Sequence, residues 1–479
     1  MSGIRYGQKD AWRWIEENQD HLIRTCDRIW QLAELGLLEY KTADLLAAEA
    51  DQYGFTVERG IAGMPTAFLA TWGAKPPVIG ILAELDALPG LSQRPVPYEE
   101  PLAEGAPGHA CGHNIYATSA LAGAIALKTA MEEHNIRGTI KLFGCPAEET
   151  LVGKIWLVRD GYFDGVDAVL AHHPGSVNTA SMASSNAMNS AKLHFYGKAS
   201  HAAVSPEQGI SALDAAELLN VGINYMREHV IDAARIHYVM EEGGGQPNIV
   251  PPYVRGWYYV RAPERDQVEY LFDWVLRIAD GADMMARTTH RVELLSACYN
   301  KLPNRTLSEL VVANMRRIGA PVHTPEELEF ASALEKTVPQ ELKLQVLRNE
   351  ARPRWQEMAG SLFDERVLDP WDEGRASKGS TDVSDVSWVA PTVEFSTVAC
   401  TLATSYHSWQ LAAQAGMSIG HKSLLFSSKV IAATALELVG EPTVLQETKE
   451  EWRRRLGGRV YTSPVPADHQ PPLHQLQTP

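Results

Sequence analysis

Pro77-Val78-Ile79-Gly80-Ile81-Leu82-Ala83-Glu84-Leu85-Asp86-Ala87-Leu88-Pro89-Gly90 is a mostly apolar run that ends in two carboxylates and a turn. Its apolar part does not alternate with polar residues, so it reads as a strand covered on both faces, as parallel strands are. In open α/β sheets, ligands bind beyond the carboxyl ends of such strands. Glu84 and Asp86 fall at that end, and Asp86 is a candidate site carboxylate. The plainer alternative is an Asp that bonds its own turn.

Downstream, two further strands end the same way. Thr139 to Gly144 delivers Cys145-Pro146-Ala147-Glu148-Glu149, and Val166 to Ala171 delivers His172-His173-Pro174. A helix over Tyr116 to Glu133, rich in small residues, and another over Gly153 to Asp160 separate them. This β-α-β rhythm predicts an α/β layer with a largely parallel sheet flanked by helices. Upstream, residues 8–35 carry helical periodicity. Thr42 is the expected N-cap of a second helix that Gly54 ends. Short strands are expected at Phe55–Val57 and Thr66–Thr71.

Before the Tyr116 helix stands Gly108-His109-Ala110-Cys111-Gly112-His113-Asn114. A thiolate and an imidazole two residues apart, between glycines, can face one point from a tight turn. Sulfur with imidazole suits zinc or another divalent transition metal. Alone, the pair is matched by a buried thiol beside a turn histidine. Glu148-Glu149 adds a pair whose side chains diverge. One can bind metal while its neighbour faces the substrate water, a division that suits metal-assisted hydrolysis. Consecutive histidines diverge too, so only one of His172 and His173 can point at a given centre. His407, in Tyr406-His407-Ser408-Trp409, is a further candidate, with His421 competing at the start of the last helix.

From Ala191 to Cys298 the elements run β-α-β-β-α-β, a split βαβ arrangement. It reads as an insertion at 189–299 into a discontinuous unit of 1–188 and 300–445. A helix follows Asn304. Residues 322–378 are charged and Pro-dotted and read as a surface excursion with no assigned role. The final helix is expected over His421 to Val439. Residues 446–479 read as a charged, Pro-rich tail, disordered near Pro479.

The 479 residues are 45% hydrophobic and 21% charged, as in an ordinary globular protein, and two units suit that length. A net charge of -16 argues against a nucleic-acid or anionic-membrane partner. Five scattered cysteines, an odd number, argue against a disulfide framework. The first residues lack a secretory apolar region, and no apolar run approaches the roughly 18 residues of a membrane span. A cytoplasmic protein is expected.

Glu-Leu-Asp-Ala-Leu-Pro, Gly-His-Ala-Cys-Gly-His-Asn, Pro-Ala-Glu-Glu, His-His-Pro, Gly-Lys-Ala-Ser-His-Ala-Ala, Pro-Asn-Ile-Val-Pro, Gly-Ser-Thr-Asp-Val-Ser and His-Ser-Trp-Gln together make a specific signature. With it, nearly the whole chain to about Glu441 resembles the zinc or manganese amidohydrolases related to carboxypeptidase G, aminoacylases and auxin-conjugate hydrolases. The resemblance implies a zinc-exopeptidase-like catalytic domain with an inserted ferredoxin-like lid and dimerisation domain. It implies two divalent metal ions (Zn or Mn) held by Cys111, His113, Glu149, His173 and His407. It implies Glu148 as general base, with Asp86 as a supporting carboxylate. His201 matches a lid histidine that reaches a partner protomer's site, whereas the plain reading has it cap the helix near Ser211. Asn248 and Arg261 match residues that hold the substrate's carboxylate or carbonyl. The implied substrate is an N-acyl or N-aroyl amino acid. The implied assembly is a homodimer through the lid, or a pair with a paralogous chain. Dipeptidase, auxin-conjugate hydrolase and aromatic aminohydrolase activities are alternatives on the same scaffold, and a non-catalytic partner role is a further one. Thr150-Leu151-Val152 replaces a Gly-rich run of the relatives, and His172 replaces an aromatic residue.

Overall fold

The computed structural model describes residues 2–350 and 352–473, with side chains from residue 7 onward. The disorder expected near Pro479 falls outside them. The first expected helix is two helices, α1 (Ser2–Glu17) and α2 (Gln19–Leu32). Asn18 separates them, and its side-chain amide donates to the Trp14 carbonyl at 2.8 Å. Such local side-chain bonds compete with helix continuation. Helix α3 (Tyr40–Gln52) begins before Thr42. Thr42 is therefore not the cap. Its N–H and hydroxyl each donate to Glu34 at 2.9 Å. Gly54 does end this helix, at φ 82°.

Strands β1 (Thr56–Arg59) and β2 (Phe68–Gly73) form a hairpin, followed by β3 (Val78–Glu84). Helix α4 (His113–Glu133) leads to β4 (Thr139–Cys145), and α5 (Gly153–Arg159) leads to β5 (Ala168–Gly175) and the short β6 (Thr179–Ala180). A second body follows: β7 (Ala187–Tyr196), α6 (Ala212–Met226), β8 (Arg235–Glu242), β9 (Tyr253–Ala262), α7 (Arg265–Ala286) and β10 (Thr289–Cys298). The chain returns through α8 (Arg305–Ile318), α9 (Pro325–Glu335), α10 (Gln340–Asn349), α11 (Val383–Val389), β11 (Thr392–Val398), α12 (Trp409–Ala415), α13 (Ser418–Gly440) and α14 (Pro442–Leu456).

The first sheet has the order β1-β2-β4-β3-β5-β11-β6. Its central strands β4, β3, β5 and β11 are parallel, and the outer pairings are antiparallel. β3 is buried on both faces, as its composition predicts. Ile79 and Ile81 enter one core, Leu82 enters the other, and a Cβ on Gly80 would meet Val169 and Phe143. The parallel register sets Glu84 opposite Cys145 and Ser396 opposite His173, so the chemistry-bearing strand ends are level.

Helices α4 and α13 cross one face closely. A Cβ on Gly123 would lie 2.6 Å from the Ile431 side chain. By length and composition α13 is apolar enough to cross a membrane, contrary to the expectation that no segment is. However, 78% of that apolar window is buried inside the fold, which is the setting of a core helix.

The second sheet is antiparallel with the order β10-β7-β9-β8, and α6 and α7 pack on one face. On β9, Val254, Tyr258, Val260 and Ala262 turn inward, and Arg255, Trp257, Tyr259 and Arg261 turn to the other side.

Two expectations fail here. Residues 322–378 are not a mere surface excursion. They form two helices and carry Arg352 into the interior, where its guanidinium donates to the Ser176 carbonyl and hydroxyl at 3.0 Å each. A buried guanidinium needs this many partners, and its Asp364 and Glu350 neighbours lie along the chain. The tail does not begin at 446 either. α14 runs to Leu456 because Leu445, Thr448 and Trp452 share one face, and the Glu451 carboxylate accepts the Arg305 and Thr306 N–H groups that open α8. Beyond it, the His469 carbonyl accepts from Arg159 at 2.5 Å, and Val465 is buried.

Candidate metal centre

The Cys111 turn is shaped by glycine. A Cβ on Gly108 would fall 1.9 Å from the Leu91 carbonyl oxygen, and Gly112 has φ 79°. This turn starts α4 at His113, earlier than the helical pattern alone predicts. His113 is fully buried. Its Nδ1 lies 3.0 Å from the Asp86 carbonyl and 3.2 Å from Asp86 Oδ1. Both are acceptors, so Nδ1 carries the hydrogen and Nε2 turns to the carboxylates. Burial opposes charge on the ring, yet Cys111, Asp86 and Glu84 push the His113 pKa well above its usual range. That Nε2 lies 3.2 Å from Glu84 Oε2 and 4.0 Å from Glu149 Oε1.

The two glutamates leave β4 through a tight turn. Ala147 has φ 54°, a conformation that costs about 1–2 kcal/mol for a non-glycine residue. Its N–H donates to Glu39 Oε1 at 2.8 Å, and Thr66 donates to the other Glu39 oxygen at 2.8 Å. The Glu149 N–H donates to Asp86 Oδ2 at 3.0 Å. Asp86 thus holds both His113 and the glutamate turn. Burial pushes Asp86 up, but the bond to His113, the His113 charge, the Glu149 N–H and Lys154 together leave the carboxyl below its usual range.

The glutamates diverge as expected. Glu149 Oε2 lies 3.1 Å from His407 Nε2. Burial opposes ionisation of Glu149, yet His407 and His113 hold it below the usual range. Glu148 turns inward beside Glu84 and His113. Burial, then the Glu84 and Glu149 charges, push it well above the usual carboxyl range. Such a shift favours a group that takes and returns protons.

The histidine pair lies inside β5 rather than after it, and strand alternation separates the two rings. His172 is fully buried between Ser119 Oγ at 3.0 Å and Thr397 Oγ1 at 2.8 Å, which occupies both ring nitrogens. The His173 Nδ1 donates to the Pro174 carbonyl at 3.0 Å, and its Nε2 lies 3.3 Å from Cys111 Sγ. Burial, then His113, lower its pKa to about 4, so the ring is neutral. His407 sits in a loop at φ 57°, with its N–H bonded to the Ala110 carbonyl at 3.0 Å. His421 is elsewhere, paired with Asp27 at 2.7 Å.

Three residues outside the sequence candidates shape this site. Glu39 fixes the Ala147 turn, and burial followed by the Asp86 charge raises its pKa to about 8. Lys154, fully buried on α5, pairs with Asp382 Oδ1 at 2.5 Å and with Glu84 Oε1 at 2.8 Å. An unpaired buried ammonium would cost several kcal/mol, so the two carboxylates are required for it to be there. Sequence spacing carries no signal for Lys154. Asp382 lies in the Gly-Ser-Thr-Asp-Val-Ser signature, and Glu84 ends the decisive strand.

His201, Asn248 and Arg261 are not joined to this cluster. His201 is exposed, and its Nδ1 accepts the Ala203 and Val204 N–H groups at 3.2 Å. It caps its own turn, not the helix near Ser211, because Ser211 caps that helix itself. Its Nε2 is left as an outward donor. The Asn248 carbonyl accepts from Ala202 at 2.9 Å. Arg261 stacks over Tyr259 at 5.2 Å, and its buried Nε has no partner.

The cluster suits divalent metal. The donor atoms of Cys111, His113 and His173 lie within 4.8 Å of one another, as do those of Cys111, Glu149 and His407. The two triads share the sulfur. His113 Nε2, Glu149 Oε1 and Glu84 Oε2 are buried without hydrogen-bond partners. Buried polar atoms are seldom left so, and a cation would satisfy all three.

A parallel-centred sheet with imidazole, thiol and carboxylate at its strand ends defines a hydrolase of the metallopeptidase class. Residues 80–407 match peptidase family M20/M25/M40, and the chain belongs to this family of amide-bond hydrolases. It is 36% identical over 475 residues, 95% of this chain and 97% of the relative, to one subunit of the p-aminobenzoyl-glutamate hydrolase of Escherichia coli. The second named subunit of that bacterium's enzyme is 28% identical, over 57% of this chain and 73% of its own. The Xaa-Arg dipeptidase of Mus musculus is 28% identical, over 92% of this chain and 91% of its own. Among solved structures, the aminobenzoyl-glutamate utilization protein of Klebsiella pneumoniae matches with TM-score 0.61 at 18% identity, covering 89% of this chain and 97% of that one. At that identity the likeness speaks to the fold.

Proposed function

We propose that the chain cleaves the amide bond of an N-acyl or N-aroyl amino acid of the p-aminobenzoyl-glutamate type. The observation that carries this reading is the pair of donor triads sharing Cys111 Sγ, with the buried carboxyl of Glu148, its pKa raised, beside them. Identity along nearly the full length of a p-aminobenzoyl-glutamate hydrolase chain supports the substrate class. Cys111, His113, Glu149, His173 and His407 are the residues to hold two divalent ions, zinc or manganese. Bound there, such ions would acidify a water and polarise the scissile carbonyl.

Glu148 takes the proton of the attacking water and returns it to the leaving nitrogen. Its burial supports the base role, because a carboxylate whose pKa is held above the usual range takes up a proton more readily. Asp86 keeps the His113 tautomer and the Glu149 backbone in place. The inserted body, 189–299, is proposed as a lid and dimerisation domain. The outward Nε2–H of His201 is suited to the oxyanion in the partner protomer's site. Arg261, with an unpartnered Nε, suits the substrate carboxylate, and Asn248 the substrate's carbonyl. A homodimer fits this arrangement. The two differently named subunits of the Escherichia coli relative make a paralogous partner the alternative.

The test is a hydrolysis screen of the metal-loaded chain alone. p-Aminobenzoyl-glutamate, N-acetyl amino acids and Xaa-Arg dipeptides would each be supplied with Zn²⁺ or Mn²⁺. Release of p-aminobenzoate well above that of any dipeptide product is expected. Preferential dipeptide cleavage would replace the substrate assignment.

A further inference from the structure

Lys154, Asp382 and Glu84 form a buried chain behind the centre. Asp382 is wholly occupied by Lys154: Oδ1 pairs with Nζ at 2.5 Å, and Oδ2 accepts the Lys154 backbone N–H at 2.9 Å. Lys154 in turn takes Glu84 Oε1 at 2.8 Å. A charge cluster that only tied β3, α5 and α11 together would satisfy every buried atom. This one does not. Glu84 Oε2 is turned the other way, buried and without a hydrogen-bond partner, and its close polar neighbour is His113 Nε2 at 3.2 Å, which lacks a hydrogen-bond partner too. The Glu84, His113 and Glu148 donor atoms lie within 4.8 Å of one another.

We propose that Glu84 is a further metal-facing carboxylate, held in that orientation by Lys154 and Asp382 as positioning residues. The inference rests on the metal-centre reading above and adds an oxygen donor to it. Lys154 fixes the outer oxygen of Glu84, so the inner one cannot rotate away from His113. An oxygen beside an imidazole nitrogen suits zinc or manganese.

The test is calorimetric titration of Mn²⁺ into the full-length, chelator-stripped protein, with metal content counted after dialysis. Glu84→Gln keeps the shape and removes the charge, and at least about 10-fold weaker binding is expected, in line with the low end for a disturbed ligand shell. Lys154→Met should weaken binding by about 10- to 100-fold, the range found when a group that orients a ligand is removed. The double variant should bind no more weakly than the weaker single one, because both changes act on one oxygen. Wild-type affinity in Glu84→Gln would overturn the proposal, as would additive losses in the double variant. If Lys154→Met does not fold by circular dichroism, Lys154→Met/Asp382→Asn removes one charge of each sign. Tight Mn²⁺ binding by that pair would equally overturn the positioning role. His113→Ala separates the two readings. If it loses metal while Glu84→Gln does not, only the role of Glu84 fails. If it retains full metal, the centre itself fails.

Discussion

The two sheets treat their candidate residues in opposite ways. Around the seven-stranded sheet the donors are prepared in advance. Asp86 fixes the ring of His113, Glu39 fixes the turn of Glu148 and Glu149, and a carbonyl fixes the tautomer of His173. On the four-stranded sheet His201 and Asn248 are exposed on loops, and the buried Nε of Arg261 is unpartnered. A site that holds ions must hold its ligands rigidly. Residues that meet a substrate only on closure must leave donors open until then. In the reading proposed above, the metal donors other than the exposed His407 are held in the interior, and the recognition residues keep open donors.

The sharpest test of that division is Glu148→Gln. Turnover should fall by about 10²- to 10⁴-fold while both metals stay bound, because Glu149 and not Glu148 faces His407. Metal counting beside steady-state kinetics checks it. A variant that sheds metal while Glu149→Gln keeps it would reverse the two roles.

His201→Ala comes next, with an expected loss of about 10²- to 10³-fold in turnover and no loss of metal. Mixing it with Glu148→Gln chains should restore part of the activity, since one hybrid site carries both native groups. If exchanged mixed dimers stay inactive, His201 does not serve a partner's site.

Arg261→Met should leave metal content unchanged and raise KM for carboxylate-bearing substrates by about 10- to 100-fold, as for loss of a hydrogen bond to a charged group. An amidated substrate should show little of that rise. A kcat loss with unchanged KM would instead make Arg261 part of the machinery.

The contrast between His407 and His421 is expected to be smaller in fold-change but cleaner. His407→Ala should bind metal at least about 10-fold more weakly, and His421→Ala should match the wild type. The His421–Asp27 pair lies apart from the donor triads. Equal metal content in the two variants would remove His407 from the centre.

Much of the fold is legible in the chain because local patterns reflect burial. The run through Ile79 to Ala83 is apolar on both faces, and it is a central strand. The alternation in Tyr253 to Val260 marks a half-covered strand, and β9 is one. The misses are places where tertiary partners override local signals. Thr42 has the chemistry of a cap, but Glu34 takes its hydroxyl. Arg352 reads as a surface charge until Ser176 and Asp364 surround it. Residues past 446 read as a tail, yet their spaced apolar face docks on the fold and Glu451 caps α8.

The order of residues alone settles which donor types are present and which strand ends bear them. The period of strand and helix follows from side-chain direction, and a motif keeps its donors near one another along the chain. It leaves open which of His172 and His173 turns toward Cys111, because two neighbours in a strand look alike until one face is built. Packing resolves the choice, giving His172 to Ser119 and Thr397 and leaving His173 Nε2 beside the thiol. Packing also brings Lys154 and Glu84 together with Asp382, from three distant parts of the chain. A buried ion pair has no period and no spacing, since its partners are chosen by the folded interior rather than by sequence distance.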